Sequence, residues 1–124
     1  MSGDISRIKV KFTVEDLLDA DGELVRFLAP RTVEALVRAM PIHGVTAVMK
    51  GMVYFSTPVR VGSEKPRLHV EGGMIAYWPM TSSICIFLDK SQPYSPMNIV
   101  GNLSVDPSVF REVGTGRRIR MVRY

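Results

Sequence analysis

The chain has 124 residues, enough for one domain of ordinary size and too few for two. Its 46% hydrophobic and 23% charged residues exclude general disorder, and no run approaches the roughly 20 apolar residues of a membrane span. Lys+Arg 16 against Asp+Glu 12 gives a net charge of +4, mildly basic, and the single cysteine excludes an internal disulfide and fits a reducing compartment. Asp4 and the lack of an apolar stretch at the start argue against a signal peptide. The expectation is a single cytoplasmic domain over residues 1–124, with 1–4 a flexible tail.

Ile5 to Phe12 alternates: Ile8, Val10 and Phe12 point one way, Arg7, Lys9 and Lys11 the other, as in a strand with one buried face. Thr13 to Gly22 is acidic and contains Asp21-Gly22, a hairpin signal because both residues tolerate positive φ. Within it, Val14 to Leu18 reads equally as strand or helical turn. Glu23 to Leu28 is the second expected strand. Pro30 to Met40 is the one clear helix: Val33, Leu36, Val37 and Met40 form a stripe, Pro30 suits the first turn, Arg38 suits the last, and Pro41 stops it.

After His43-Gly44 the chain reads as strands. Val45 to Lys50 and Met52 to Ser56 flank Gly51 as a hairpin, and Val59 to Pro66 is a polar connection. Met74 to Trp78 and Ser83 to Leu88 are rich in aromatic and β-branched residues. Asn98 to Val105 is another strand, and Arg117 to Tyr124 closes the chain. One helix among many short strands points to a barrel or a sandwich.

Little here signals catalysis. His43, His69 and Cys85 lack the short paired spacing of a zinc site, so no metal is expected. Cys85 sits in an apolar run, where a thiol behaves as a small hydrophobe. No Gly-x-Ser-x-Gly elbow is present, and Gly72-Gly73 precedes a strand instead of opening a helix, so neither acyl transfer nor a phosphate loop is indicated. Arg7, Lys9 and Lys11 at one end and Arg117, Arg118, Arg120 and Arg123 at the other form one basic patch if their strands pair. Such a patch reads either as a solvated face that blunts edge pairing or as a nucleic-acid footprint.

Gly73-x-Ile75-Ala76-Tyr77-Trp78-Pro79, followed by Cys85-Ile86-Phe87, resembles the small prokaryotic cyclophilin-like domain proteins. Tyr54-Phe55-x-x-Pro58-Val59, Ser95-Pro96-x-Asn98-x-Val100-Gly101 and the early helix support the resemblance, which spans Ile5 to Met121. It implies a mainly β fold: a closed eight-stranded barrel, with the helix at about Pro30–Met40 capping one end. The chain ends then meet, so Ile5–Phe12 and Arg117–Tyr124 should be antiparallel neighbours.

The resemblance carries no activity with it. Laid on true cyclophilins, it puts Cys85 at the pocket glutamine and Phe87 at a pocket phenylalanine, with Ile86 and Leu88 facing the core. Cyclophilins carry an arginine on the preceding strand; Val45 to Lys50 has none, and Lys50 lacks the planar fork. Arg60 is expected on a connection. The expected function is therefore a non-catalytic binding module with an apolar groove of Tyr54, Phe55, Trp78, Cys85 and Phe87. Its partner would be a small molecule or a proline-containing peptide, with no cofactor and no membrane. An altered prolyl isomerase and a nucleic-acid-binding barrel are the alternatives.

Overall fold

The computed structural model describes residues 6–93 and 95–124, so the expected tail at 1–4 and the residue Ile5 lie outside the described residues. Eight strands run β1 Arg7–Val14, β2 Leu18–Val25, β3 Ile42–Met49, β4 Met52–Ser56, β5 Met74–Trp78, β6 Ser83–Phe87, β7 Asn98–Leu103 and β8 Arg118–Arg123. They close a barrel in the order β1-β2-β7-β5-β6-β4-β3-β8. The chain ends do pair: β1 and β8 are antiparallel, with Phe12 opposite Met121 and Val14 opposite Ile119.

Alternation along β1 buries Ile8, Val10, Phe12 and Val14 and leaves Arg7 and Lys9 exposed. The barrel interior is filled by such inward residues. Phe12 meets Phe55 and Phe110 edge-on, at centroid distances of 6.4 Å and 6.5 Å. Each fully buried ring contributes roughly 1.5–3 kcal/mol through burial alone.

Two expectations are corrected. The first hairpin does not turn at Asp21-Gly22. It turns at residues 15–17, where Asp16 takes a φ of 62°, and Asp21 and Gly22 continue β2. Gly22 faces inward there; a Cβ would lie 3.0 Å from the Asn102 carbonyl oxygen and 3.3 Å from Ile75. Close strand packing, not turn geometry, favours the glycine. The second strand also stops early, at Val25 instead of Leu28. β1 begins at Arg7, and after the Arg26 N–H bonds the Ser6 carbonyl the chain turns through a 3-10 segment at Arg26–Leu28.

The helix α1, Pro30–Ala39, packs as expected. Val33 and Leu36 are fully buried, and Val37 and Met40 are half-buried against the same core. Its first residue follows Ala29, whose side chain offers no cap. A distant residue supplies it. The Glu64 carboxylate accepts from the backbone N–H groups of Arg31 (3.0 Å) and Thr32 (2.8 Å) and from the Thr32 hydroxyl (2.8 Å). Buried Asn98 completes the junction: its Oδ1 accepts from the Glu64 N–H, and its Nδ2 donates to Thr32 Oγ1 and the Gly62 carbonyl. The 3-10 turn at Pro107–Phe110, which inserts Phe110 into the barrel, has no counterpart in the expected elements.

Candidate functional site

Residues that alternate inward in one half of the barrel leave an outward row that is also apolar. On β4, β6 and β5 that row comprises Met52 and Tyr54, Cys85 and Phe87, and Ala76 and Trp78. Register sets them side by side: Met52 faces Phe87, and Cys85 lies between Tyr54 and Ala76. A second apolar compartment therefore sits on the outside of the wall. Two connections cover it. Reciprocal backbone bonds join Arg67 to Met97 (2.8 and 2.9 Å) and Val70 to Ser91 (3.0 Å each way). Val70 and Met97 are buried beneath them.

The cover does not close completely. A cavity of about 230 Å³ remains, lined by Met49, Lys50, Met52, Trp78, Phe87, Ser91, Gln92, Pro93 and Met97. Its floor is methionine and aromatic, and its rim is polar. Trp78 is only 8% exposed; its indole N–H donates to Ser95 Oγ at 2.8 Å, and its ring meets Tyr54 edge-on at 5.9 Å. Those contacts hold the indole in one orientation.

Of the five expected groove residues, Trp78 and Phe87 line this cavity. Tyr54 supports Trp78 from the side. Cys85 lies in the same outer compartment, fully buried, and does not line the cavity. Burial pushes its thiol well above the usual range, so it is neutral and unreactive at physiological pH. Phe55 is a correction: it points into the barrel against Phe12. Consecutive strand residues face opposite sides, so Tyr54 and Phe55 cannot share one groove. The same rule places Ile86 inside, as expected, and Leu88 is half-buried against that inner core. Arg60 is exposed on the connection after β4 and does not line the cavity, whereas Lys50 does.

Met49, Met52 and Met97 were not among the expected site residues. Met52 shares the parity of Tyr54 and was legible on that ground. Met49 and Met97 carry no such signal, because the first depends on the hairpin and the second on a covering loop.

The basic strands β1 and β8 do lie side by side, and acids flank them. β1 lies between β8 and β2, and β2 presents acids: Lys9 opposes Glu23, Lys11 opposes Asp21, and Arg7 bridges Glu23 at 2.9 Å. Arg118 lies 3.8 Å from Glu15. A wide cleft of about 630 Å³ beside Arg118, Arg120 and His43 shares this mixed charge through Glu15 and Asp16. His43 and His69 line different clefts, and among the described residues no three His, Cys, Asp or Glu side chains cluster as a metal site would need. No helix among the described residues is long and apolar enough to cross a membrane.

A closed antiparallel barrel capped by one helix, with an apolar compartment on its outer wall, is the architecture of a cyclophilin-like protein. The chain belongs to the cyclophilin-like family, whose sequence profile matches residues 7–122. Among solved structures it is similar to the hypothetical protein AF2241 from Archaeoglobus fulgidus, at 28% identity over 100% of both chains and a TM-score of 0.81. It shares its fold with McbB, described in complex with tryptophan, at 14% identity and a TM-score of 0.79, over 92% of this chain and 44% of McbB. No curated protein matches the chain by sequence.

Proposed function

We propose that this protein is a non-catalytic binding module whose cavity beside Trp78 receives one ring of a small molecule or a proline-containing peptide. The observation that carries this reading is the cavity itself. It is an apolar recess of about 230 Å³ with an oriented indole, three methionines and a polar rim. That volume falls below the roughly 300–1,000 Å³ of drug-sized sites, so a single ring or side chain suits it. Methionine walls adapt to the shape of such a group and favour contact with aromatic rings.

Two features support the non-catalytic half. The uncatalysed barrier to prolyl rotation is about 18–20 kcal/mol, and lowering it needs a donor aimed at the twisted amide. Among the described residues no arginine lines the cavity, and its one cation is the flexible Lys50. Cys85, buried and neutral, offers no nucleophile.

The chain has one tryptophan, so ¹⁵N-labelled protein gives a single indole N–H resonance that reports on the cavity. Indole is one probe, since McbB is described bound to tryptophan; N-acetylprolinamide is the other. Each should shift that resonance saturably, and Met49→Phe, which places a rigid ring in the recess without adding a second indole, should weaken the shift. Absence of any shift would overturn the ligand role. A robust isomerisation rate on a proline peptide that disappears in Lys50→Ala would overturn the non-catalytic half.

A further inference from the structure

We infer that the ligand of this cavity is a small apolar carboxylic acid, held with its ring on the methionine and aromatic floor and its carboxylate on Lys50. The inference rests on the ligand role proposed above and names the chemical class.

Lys50 is the one charged group among the described residues that line the cavity. It stands in the β3–β4 turn, where Gly51 takes a φ of 75° that other residues rarely adopt. The Gly51 carbonyl accepts from the Leu88 N–H at 2.9 Å, which ties this turn to the end of β6 directly beside Phe87. The backbone carrying the cation is thus fixed against the apolar floor.

Several other cations are engaged within the protein. Lys65 donates to the Phe27 carbonyl at 2.9 Å, Lys11 lies 5.0 Å from the Tyr124 ring centre, and Arg111 holds Asp89 at 2.8 Å. Asp89 is the one carboxylate on the covering segment 88–93, and Arg111 occupies it. Among the described residues no carboxylate lies within ion-pair distance of Lys50. No Asp or Glu lines the cavity either, so its local potential is positive.

A neutral ring bound there would cover part of the ammonium's hydration without replacing it, and a cationic ligand would be repelled. A carboxylate supplies the missing partner. It accepts from the Lys50 ammonium, and the Ser91 hydroxyl and Gln92 amide, residues of the same lining, are further donors for its remaining lone pairs. A free aromatic acid and the C-terminal proline of a peptide share this chemistry.

The test compares matched probes on the Trp78 indole resonance. Indole-3-acetate is set against indole and tryptamine, and N-acetylproline against N-acetylprolinamide. Each acid should bind roughly three- to fivefold more tightly than its uncharged counterpart, as an ion pair with an exposed lysine provides. The advantage should shrink with added salt and vanish in Lys50→Met, in which acid and neutral probe should bind alike. Lys50 is an exposed turn residue, so the variant folds. A larger gain for indole-3-acetate identifies a free aromatic acid, and a larger gain for N-acetylproline identifies a peptide C-terminus. Equal binding of acid and neutral probe, or a preference for tryptamine, would overturn the inference and leave the cavity reading intact. Binding of no probe would overturn both.

Discussion

Removing the Glu64 carboxylate tests how the helix is tied to the barrel. Glu64→Ala leaves the N–H groups of Arg31 and Thr32 without the acceptor they have at 3.0 Å and 2.8 Å, and deprives the Thr32 hydroxyl of its acceptor. Thr32 is fully buried, so water does not readily replace the lost partner. Loss of a cap combined with a stranded buried donor costs about 1–3 kcal/mol. With urea m-values of about 1–3 kcal/mol per molar, the unfolding midpoint should fall by roughly 1 M at pH 7. The effect should also depend on pH. Burial alone would raise the Glu64 pKa, but the N–H groups of Arg31 and Thr32, the Thr32 hydroxyl and the Arg31 guanidinium outweigh it and hold the carboxyl below its usual 4.5. A carboxyl depressed in the folded state stabilises above its unfolded pKa and loses that contribution as pH falls through the folded value. The gap between wild type and variant should therefore be constant above about pH 5 and narrow on further acidification. Wild-type stability of Glu64→Ala at pH 7, or a gap as wide in acid as at neutrality, would refute the reasoning.

Three further outcomes are expected. Gly101→Ala should prevent barrel closure, because the new Cβ would lie 1.9 Å from the Glu23 carbonyl oxygen across the β2–β7 pair; a soluble variant with unchanged Tm would contradict this. Leu36→Ala removes a fully buried side chain beneath the helix and should cost about 2–5 kcal/mol by chemical denaturation, so an unshifted midpoint would show that α1 is not packed. Cys85, buried with its pKa raised, should resist a disulfide exchange reagent at pH 8 in the native protein and react fully in denaturant; rapid native reaction would mean that the outer compartment opens.

Much of the barrel was legible in the chain. The alternation of Ile8, Val10 and Phe12, the Gly51 hairpin and the stripe of Val33 and Leu36 each report a period set by local geometry. The pairing of the chain ends came from the family resemblance, because no local pattern names a partner 100 residues away. The misplaced first turn shows the limit of dipeptide signals. Asp-Gly tolerates a turn but does not require one, and at Gly22 tight packing against Asn102 has the stronger claim on a glycine.

The site divided along the same line. Of the residues singled out by type, Trp78 and Phe87 line the recess and Phe55 points into the barrel, a separation from Tyr54 that strand parity alone implies. Three features were decided only by tertiary structure: the outer apolar compartment, the capping of α1 by Glu64 from a loop, and the seating of Lys50 beside Phe87. Each joins segments more than 30 residues apart in sequence, as in the contact between Thr32 and Glu64. Sequence periodicity records which face of a strand is apolar. When both faces are apolar, as on Met74–Trp78 and Ser83–Phe87, it does not say which one closes the barrel and which one awaits a cover. That choice belongs to the register of the whole sheet and to the two loops folded across it.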